Sequence, residues 1–165
     1  MCMVFSIPAA AGDDPVSSST DTEAIGEVNP VEKPVGASYV ITFSEFPVGT
    51  LITTQYQNVG IIFGGDAPKI TGDGAFPTTP VLAAPKGGRP YGGDITGTFI
   101  DPGTGTPTIV ESFTFDAGYF DSIGSTHVEW FDLGGNSLGQ ILNSKLAIER
   151  FTIGGGNIAS WEIPA

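Results

Sequence analysis

Two short stretches of this chain carry the side chains that a sugar-binding surface needs. A saccharide is held by an aromatic plane against the C–H face of its ring and by carboxylate, amide or guanidinium groups on its hydroxyls. Arg89-Pro90-Tyr91-Gly92-Gly93-Asp94 supplies an aromatic ring, a guanidinium and a carboxylate. The two glycines let backbone and ligand approach closely. Gly118-Tyr119-Phe120-Asp121 is a second candidate of the same kind. The competing reading of the first stretch is architectural: Tyr91 covers a core edge, Arg89 pairs with a surface acid and Asp94 caps a strand.

Other chemistry finds less to work with. His127 is the only histidine, so a Ser-His-Asp triad would have to use it. Asp132 and several serines exist, but no Gly-x-Ser-x-Gly elbow does. A zinc site needs more His or Cys than the chain holds. Asp132, opening a segment that continues to Gly135-Asn136, reads as turn chemistry, its oxygen accepting from backbone N–H groups further on. Glu111, Glu129 and Glu149 lie in strand-like segments, where paired carboxylates could cleave glycosides. A strand Glu on an outer face is more often simply solvated. Gly64-Gly65, Gly87-Gly88 and Gly154-Gly155-Gly156 lack the Lys and the following helix of a phosphate loop. Trp130, sharing a face with Val128, and Trp161, sharing one with Ile163, read as core. The expectation is a protein that is not an enzyme.

The segments that must position these residues are strands. Tyr39-Val40-Ile41-Thr42-Phe43 is β-branched and aromatic and alternates. Residues 59–63 and 94–100 follow as strands, with a brief one at Val81-Leu82-Ala83 inside an irregular Pro- and Gly-rich stretch, residues 67–93. In the next strand Ile109, Glu111, Phe113 and Phe115 share one face, and Val110, Ser112 and Thr114 the other. Residues 127–131 and 138–142 form a hairpin. Residues 146–153 and 158–163 close the domain, split by Gly154-Gly155-Gly156-Asn157. About eight to ten strands at this spacing predict an all-β, two-sheet antiparallel sandwich.

Composition agrees. Of 165 residues 40% are hydrophobic, enough for a core, while 24 Gly and 13 Pro favour short strands and turns over helices. Only 15% are charged, against ~25% in ordinary domains, so the surface is built from Gly, Thr, Ser, Asn and Asp. The net charge of −12 repels phosphate backbones and anionic lipid heads. Neither nucleic-acid binding nor membrane insertion is expected, and no stretch is long enough to span a bilayer. The single cysteine, Cys2, excludes an intrachain disulfide.

Residues 1–36 read as a leader and 37–165 as the sandwich domain. Residues 12–36 carry little apolar surface and several breakers, a composition that predicts disorder or a lie along a neighbour. Residues 1–11 are an apolar run ending in Ala9-Ala10-Ala11, which reads either as the remnant of a signal peptide or as a plain apolar tail.

Ile41-Thr42-Phe43-Ser44-Glu45-Phe46-Pro47-Val48-Gly49-Thr50, Gln55-Tyr56 and Val59-Gly60-Ile61-Ile62-Phe63 resemble the opening of a broad group of bacterial secreted β-sandwiches. Phe113-Thr114-Phe115, Val128-Glu129-Trp130-Phe131-Asp132 and Ile158-Ala159-Ser160-Trp161-Glu162-Ile163 are similar to the same group's second half. The resemblance covers roughly residues 38–163. It implies a jelly roll like that of galactose-binding-like domains and carbohydrate-binding modules, in a secreted or cell-surface setting. It also implies a structural Ca²⁺ where the exit loop of the first strand meets the last strand. Here Glu45, Thr50 and Glu162 occupy those positions, and calcium takes six to eight oxygens from such groups. Two functions are thus expected: a non-catalytic module that binds carbohydrate, with a structural calcium, or an assembly protein whose leader contacts a neighbouring subunit.

Overall fold

The computed structural model describes residues 5–8, 38–72 and 80–165. Its strands are β1 (Phe5–Pro8), β2 (Ser38–Ile41), β3 (Ile61–Gly65), β4 (Lys69–Thr71), β5 (Val81–Ala83) and β6 (Ile95–Phe99), then β7 (Val110–Ala117), β8 (His127–Phe131), β9 (Ser137–Leu142), β10 (Glu149–Ile158) and β11 (Ser160–Ile163). A single 3-10 turn, Gln57–Val59, is the only helical element among the described residues. The strands form a four-stranded sheet in the order β10-β7-β1-β2, a five-stranded sheet in the order β3-β6-β11-β8-β9, and a separate β4-β5 pair. Every pairing is antiparallel.

The two large sheets pack face to face, as an all-β antiparallel sandwich. Alternating residues supply the filling: Phe113 and Phe115 of β7 and Phe151 and Ile153 of β10 meet Phe63, Phe99, Val128, Trp161 and Ile163 from the opposite sheet. Trp161 is the hub. Its ring stacks on Phe113 and Phe115, with centroids 6.0 and 5.8 Å away, and meets the edge of Phe63 at 6.2 Å. Gly97 lies directly across from Trp161 in the neighbouring strand. A Cβ there would come within 2.4 Å of the indole, so the ring can lie over the sheet only because residue 97 has no side chain.

Several sequence expectations are corrected. Phe43, expected inside a strand, lies beyond β2 with φ +60° and drops its ring into the core as the chain turns. In β7 the strict alternation holds from Phe113 onward, but Val110 is buried and Glu111 exposed, opposite to the expected faces. At the same place the partner strand shifts register between Gly154 and Ile158, where β10 bulges. The glycine run therefore does not separate two strands; it lies within β10. The leader assignment also changes at one place: Phe5–Pro8 are a strand, with Phe5 in register with Ile41 and Ile7 with Tyr39. The rest of residues 1–36 lies outside the described residues. Lys69–Thr71, read as irregular, pairs with the expected strand Val81–Ala83.

Candidate functional site

Arg89 and Tyr91 precede β6, and Tyr119 and Asp121 follow β7, in the opposite sheet. The sandwich brings these two loops to one end, where with the C-terminal residues Pro164 and Ala165 they line a cleft of about 560 Å³. Each loop is built so that its candidate residues line the cleft. Lys86 and Arg89 exchange backbone hydrogen bonds at 3.0 Å across Gly87 and Gly88, which sit at φ +59° and +82°. Two successive left-handed residues make the tight hairpin turn that favours glycine, and Arg89 leaves it facing the opposite loop. In that loop Gly118 packs against Ile148, and Phe120 turns inward to meet the Phe151 ring edge-on at 6.2 Å. Tyr119, at φ +65°, and Asp121 are left on the cleft side.

Across the cleft the two loops meet twice. The rings of Tyr91 and Tyr119 stack with centroids 4.8 Å apart and planes 2° from parallel. Both remain over a third exposed, at 36% and 39%. Arg89 approaches Asp121 at 3.8 Å, with side chains 78% and 88% exposed. An ion pair that open contributes little stability and leaves both groups free to exchange partners.

Asp94, expected beside Tyr91 in the site, is placed as a tie. Its Oδ1 accepts the backbone N–H of Ala165 at 2.6 Å, and its own N–H donates to Asp66 at 3.0 Å. Lys86 sits between Asp66 (3.1 Å) and Asp94 (3.6 Å). The Asp94 N–H and the Lys86 ammonium hold the Asp66 carboxyl below its usual range. This cluster holds Ala165, which lines one side of the cleft.

The far wall depends on a residue with no sequence signal. Asn143, just beyond β9, is 2% exposed, and it is the only buried polar residue among the described ones. Its Oδ1 accepts from Thr126 N–H at 3.0 Å, and its Nδ2 donates to the carbonyls of Ser122 (2.9 Å) and Lys145 (3.0 Å). Ser125 and Thr126 line the cleft, so Asn143 sets their position from beneath. An Asn after a strand looks like any loop residue, and only the fold shows that it is enclosed.

Of the three residues expected to hold calcium, Glu45 and Thr50 have hydrogen-bond partners within their own loop and its neighbour. Glu45 accepts from the Thr42 N–H (3.1 Å) and hydroxyl (2.9 Å) on one oxygen and from the Tyr56 hydroxyl (2.9 Å) on the other. Partial burial pushes the Glu45 carboxyl up, but these hydrogen bonds outweigh it and leave the group below its ordinary value. Burial, then the hydrogen bond and negative charge of Glu45, push the Tyr56 phenol up. The Thr50 hydroxyl donates to the Pro47 carbonyl at 2.7 Å. Glu162 lies mid-sheet, in register with Thr96 on one side and Glu129 on the other. Among the described residues no three His, Cys, Asp or Glu side chains converge as a metal cluster.

Phe43, Phe46, Tyr56 and Phe63 form an edge-to-face aromatic nest at 5.5–6.0 Å, which Glu45 buttons through Tyr56. Asp132 accepts from the Asn136 N–H and side-chain amide, as a turn residue does, and these hold its carboxyl low. Glu149 takes the Ser144 hydroxyl and the N–H groups of Ser144 and Lys145. Glu111 is exposed on the four-stranded sheet. His127 begins β8 opposite Leu142. No family model matches the chain, no curated protein matches it, and no solved structure matches it.

Proposed function

We propose that this β-sandwich binds carbohydrate, without chemistry, in the cleft between the Arg89–Tyr91 and Tyr119–Asp121 loops. The observation that carries the reading is the convergence, from opposite sheets, of two stretches that each hold an aromatic ring and a charged group. The stacked tyrosine pair offers the outer face of a ring to the C–H face of a sugar. Arg89 and Asp121 supply a donor and an acceptor for its hydroxyls at the mouth. A cleft of about 560 Å³ lies within the ~300–1,000 Å³ of ordinary small-ligand pockets. The chain's charge of −12 opposes uronic-acid and sulfated glycans, so the ligand class is a neutral saccharide. Such a module would work outside the cell, where polysaccharides are met.

The test is a glycan array with titration calorimetry on any hit, with and without EDTA, because calcium was an expectation of the resemblance. Tyr91→Ala and Tyr119→Ala should each abolish or weaken binding at least tenfold while near-UV circular dichroism shows the core intact. Binding to no neutral glycan, or undiminished binding in both variants, would refute the proposal.

A further inference from the structure

The edge of a sheet presents a row of unpaired N–H and C=O groups, and folds guard it with covering chain, charge, a bulge or brevity. Three of the four edges of the two large sheets are guarded in these ways. Along β3 the preceding loop is the cover: the Phe63 N–H donates to the Thr53 carbonyl at 2.8 Å, and the Ile61 N–H to the Tyr56 carbonyl at 3.3 Å. β10 starts with Glu149 and Arg150 and bulges between Gly154 and Ile158. β2 has only four residues. β9, Ser-Leu-Gly-Gln-Ile-Leu, has six, with neither charge nor proline. Among the described residues it pairs with β8 alone, and its one irregularity lies at its beginning, where the register shifts opposite Trp130 and Phe131. Leu138, Ile141 and Leu142 are large, apolar and exposed.

β8 fixes the phase of this strand. The Asn143 N–H donates to the Thr126 carbonyl at 2.9 Å, one position beyond the Leu142–His127 pair. Bonded and unbonded pairs alternate in an antiparallel ladder, so Gly139 and Ile141 bond across to β8 while Gln140 and Leu142 turn their N–H and C=O groups outward. The faces are fixed too. Ile141 is opposite buried Val128, on the core side, and Gln140 and Leu142 are opposite Glu129 and His127, on the outer side. A second β9 meets both constraints when it lies antiparallel with Gln140 opposite Gln140. The outward groups of each Gln140 then bond to those of its copy, Leu138 and Leu142 oppose one another, and each face of one sheet continues into the same face of the other. A slip of one residue would set core-side residues opposite outer-side ones. Charge fits the same arrangement. The nearest charged residues along the chain are Asp132 before the strand and Lys145 after it, and antiparallel pairing brings the Asp132 end of each copy to the Lys145 end of the other.

We propose that β9 is a homodimer interface: two copies pair their β9 strands antiparallel about Gln140 and join their five-stranded sheets into one. The occupant of the edge is a second copy because the strand's faces, its bonding phase and the charges at its ends all complement themselves under a two-fold axis. The contact uses no cleft residue, so it stands independently of sugar binding.

The full-length chain is followed by sedimentation velocity under reducing conditions, from about 10 μM to about 1 mM, a range that brackets weak association. A dimer should appear and its fraction rise severalfold across the range. It should rise further at high salt, which screens the repulsion between two chains of charge −12. Gln140→Lys opposes two ammonium groups at the axis and should return the chain to monomer, with near-UV circular dichroism unchanged. Register is read in a Cys2→Ser background. Gln140→Cys sets two Cα atoms about 5.5 Å apart in a bonded pair, within disulfide reach, so mild oxidation should link two copies. Ser137→Cys, on the same edge, lies roughly 20 Å from its counterpart in this register and should link severalfold less. A parent chain that stays monomeric across the range overturns the proposal. So does a dimer that survives Gln140→Lys, or one that links equally well through Ser137→Cys, because its interface would then lie elsewhere or in another register.

Discussion

Gly97→Ala is the most direct test of how the core is assembled. The added methyl would stand 2.4–2.5 Å from Cε2, Nε1 and Cζ2 of Trp161, where carbon contacts settle near 3.5–4.0 Å. The indole must retreat by about 1 Å. It cannot do so freely, because Phe113 and Phe115 stack on it and Phe63 abuts it. Overpacking a dense core costs roughly 1–3 kcal/mol, and three aromatic neighbours place this site at the upper end, ~3 kcal/mol. Replacing glycine in a strand returns roughly 0.5–1 kcal/mol of backbone entropy. The net expectation is a loss of about 2 kcal/mol, or a Tm about 4–8 °C lower for a chain of this size. Gly154→Ala is the internal comparison. A Cβ at Gly154 meets only the Ser112 Cβ, at 3.8 Å, an ordinary contact. It should raise stability by roughly 0.5–1 kcal/mol, the backbone-entropy return without the clash. Thermal melts followed by near-UV circular dichroism would read both, with the tryptophan signal altered in Gly97→Ala alone. A Gly97→Ala protein that melts with the parent would show that the indole does not lie over residue 97.

Two further predictions concern the supports of the cleft and of the aromatic nest. Asn143→Ala removes the partner of the Thr126 N–H and the amide donor to the Lys145 and Ser122 carbonyls, the last of which keeps its bonds from Ser125, at a cost of about 1–3 kcal/mol. Amide exchange should accelerate across residues 122–126, and unchanged protection there would count against Asn143 as the anchor of that wall. The Glu45–Tyr56 pair predicts stability that declines at both ends of the pH range. The Glu45 carboxyl lies below its ordinary 4.5 in the folded chain, so its contribution is present above that value and is lost as pH falls through the folded value. The Tyr56 phenol lies above its ordinary 10.0, so its contribution is present below pH 10 and is lost as pH rises further. Tyr56→Phe should flatten the alkaline decline and weaken the acidic one in urea midpoints measured from about pH 3 to pH 11. A profile identical to the parent's would refute the coupling.

Much of this architecture is local and therefore legible in the sequence. Alternating apolar residues in 127–131 and 158–163, and in Phe113 and Phe115, assign strands and inward faces because a pleated strand has a period of two. The Asp132–Asn136 turn and the paired glycines at 87–88 are likewise matters of a few neighbouring dihedrals. The two sugar-like stretches could be picked out singly for the same reason, since each holds its aromatic and its charged group within a few residues.

What brought them together is not local. The Tyr91–Tyr119 stack and the Arg89–Asp121 approach depend on β6 and β7 lying in different sheets whose packing carries the start of one and the end of the other to the same rim. Burial of Asn143, the β10 bulge beside Val110 and Glu111, and the bond that ties Ala165 to Asp94 are also set by partners distant in sequence. So is the place of Phe5–Pro8, whose strand neighbours are fixed by pairing and not by its own four residues. The sequence by itself determined the strands, the turns and the acidic, disulfide-free character of the chain. The tertiary structure alone decided which loops share a cleft, because sheet order and register arise from long-range pairing that no local pattern encodes.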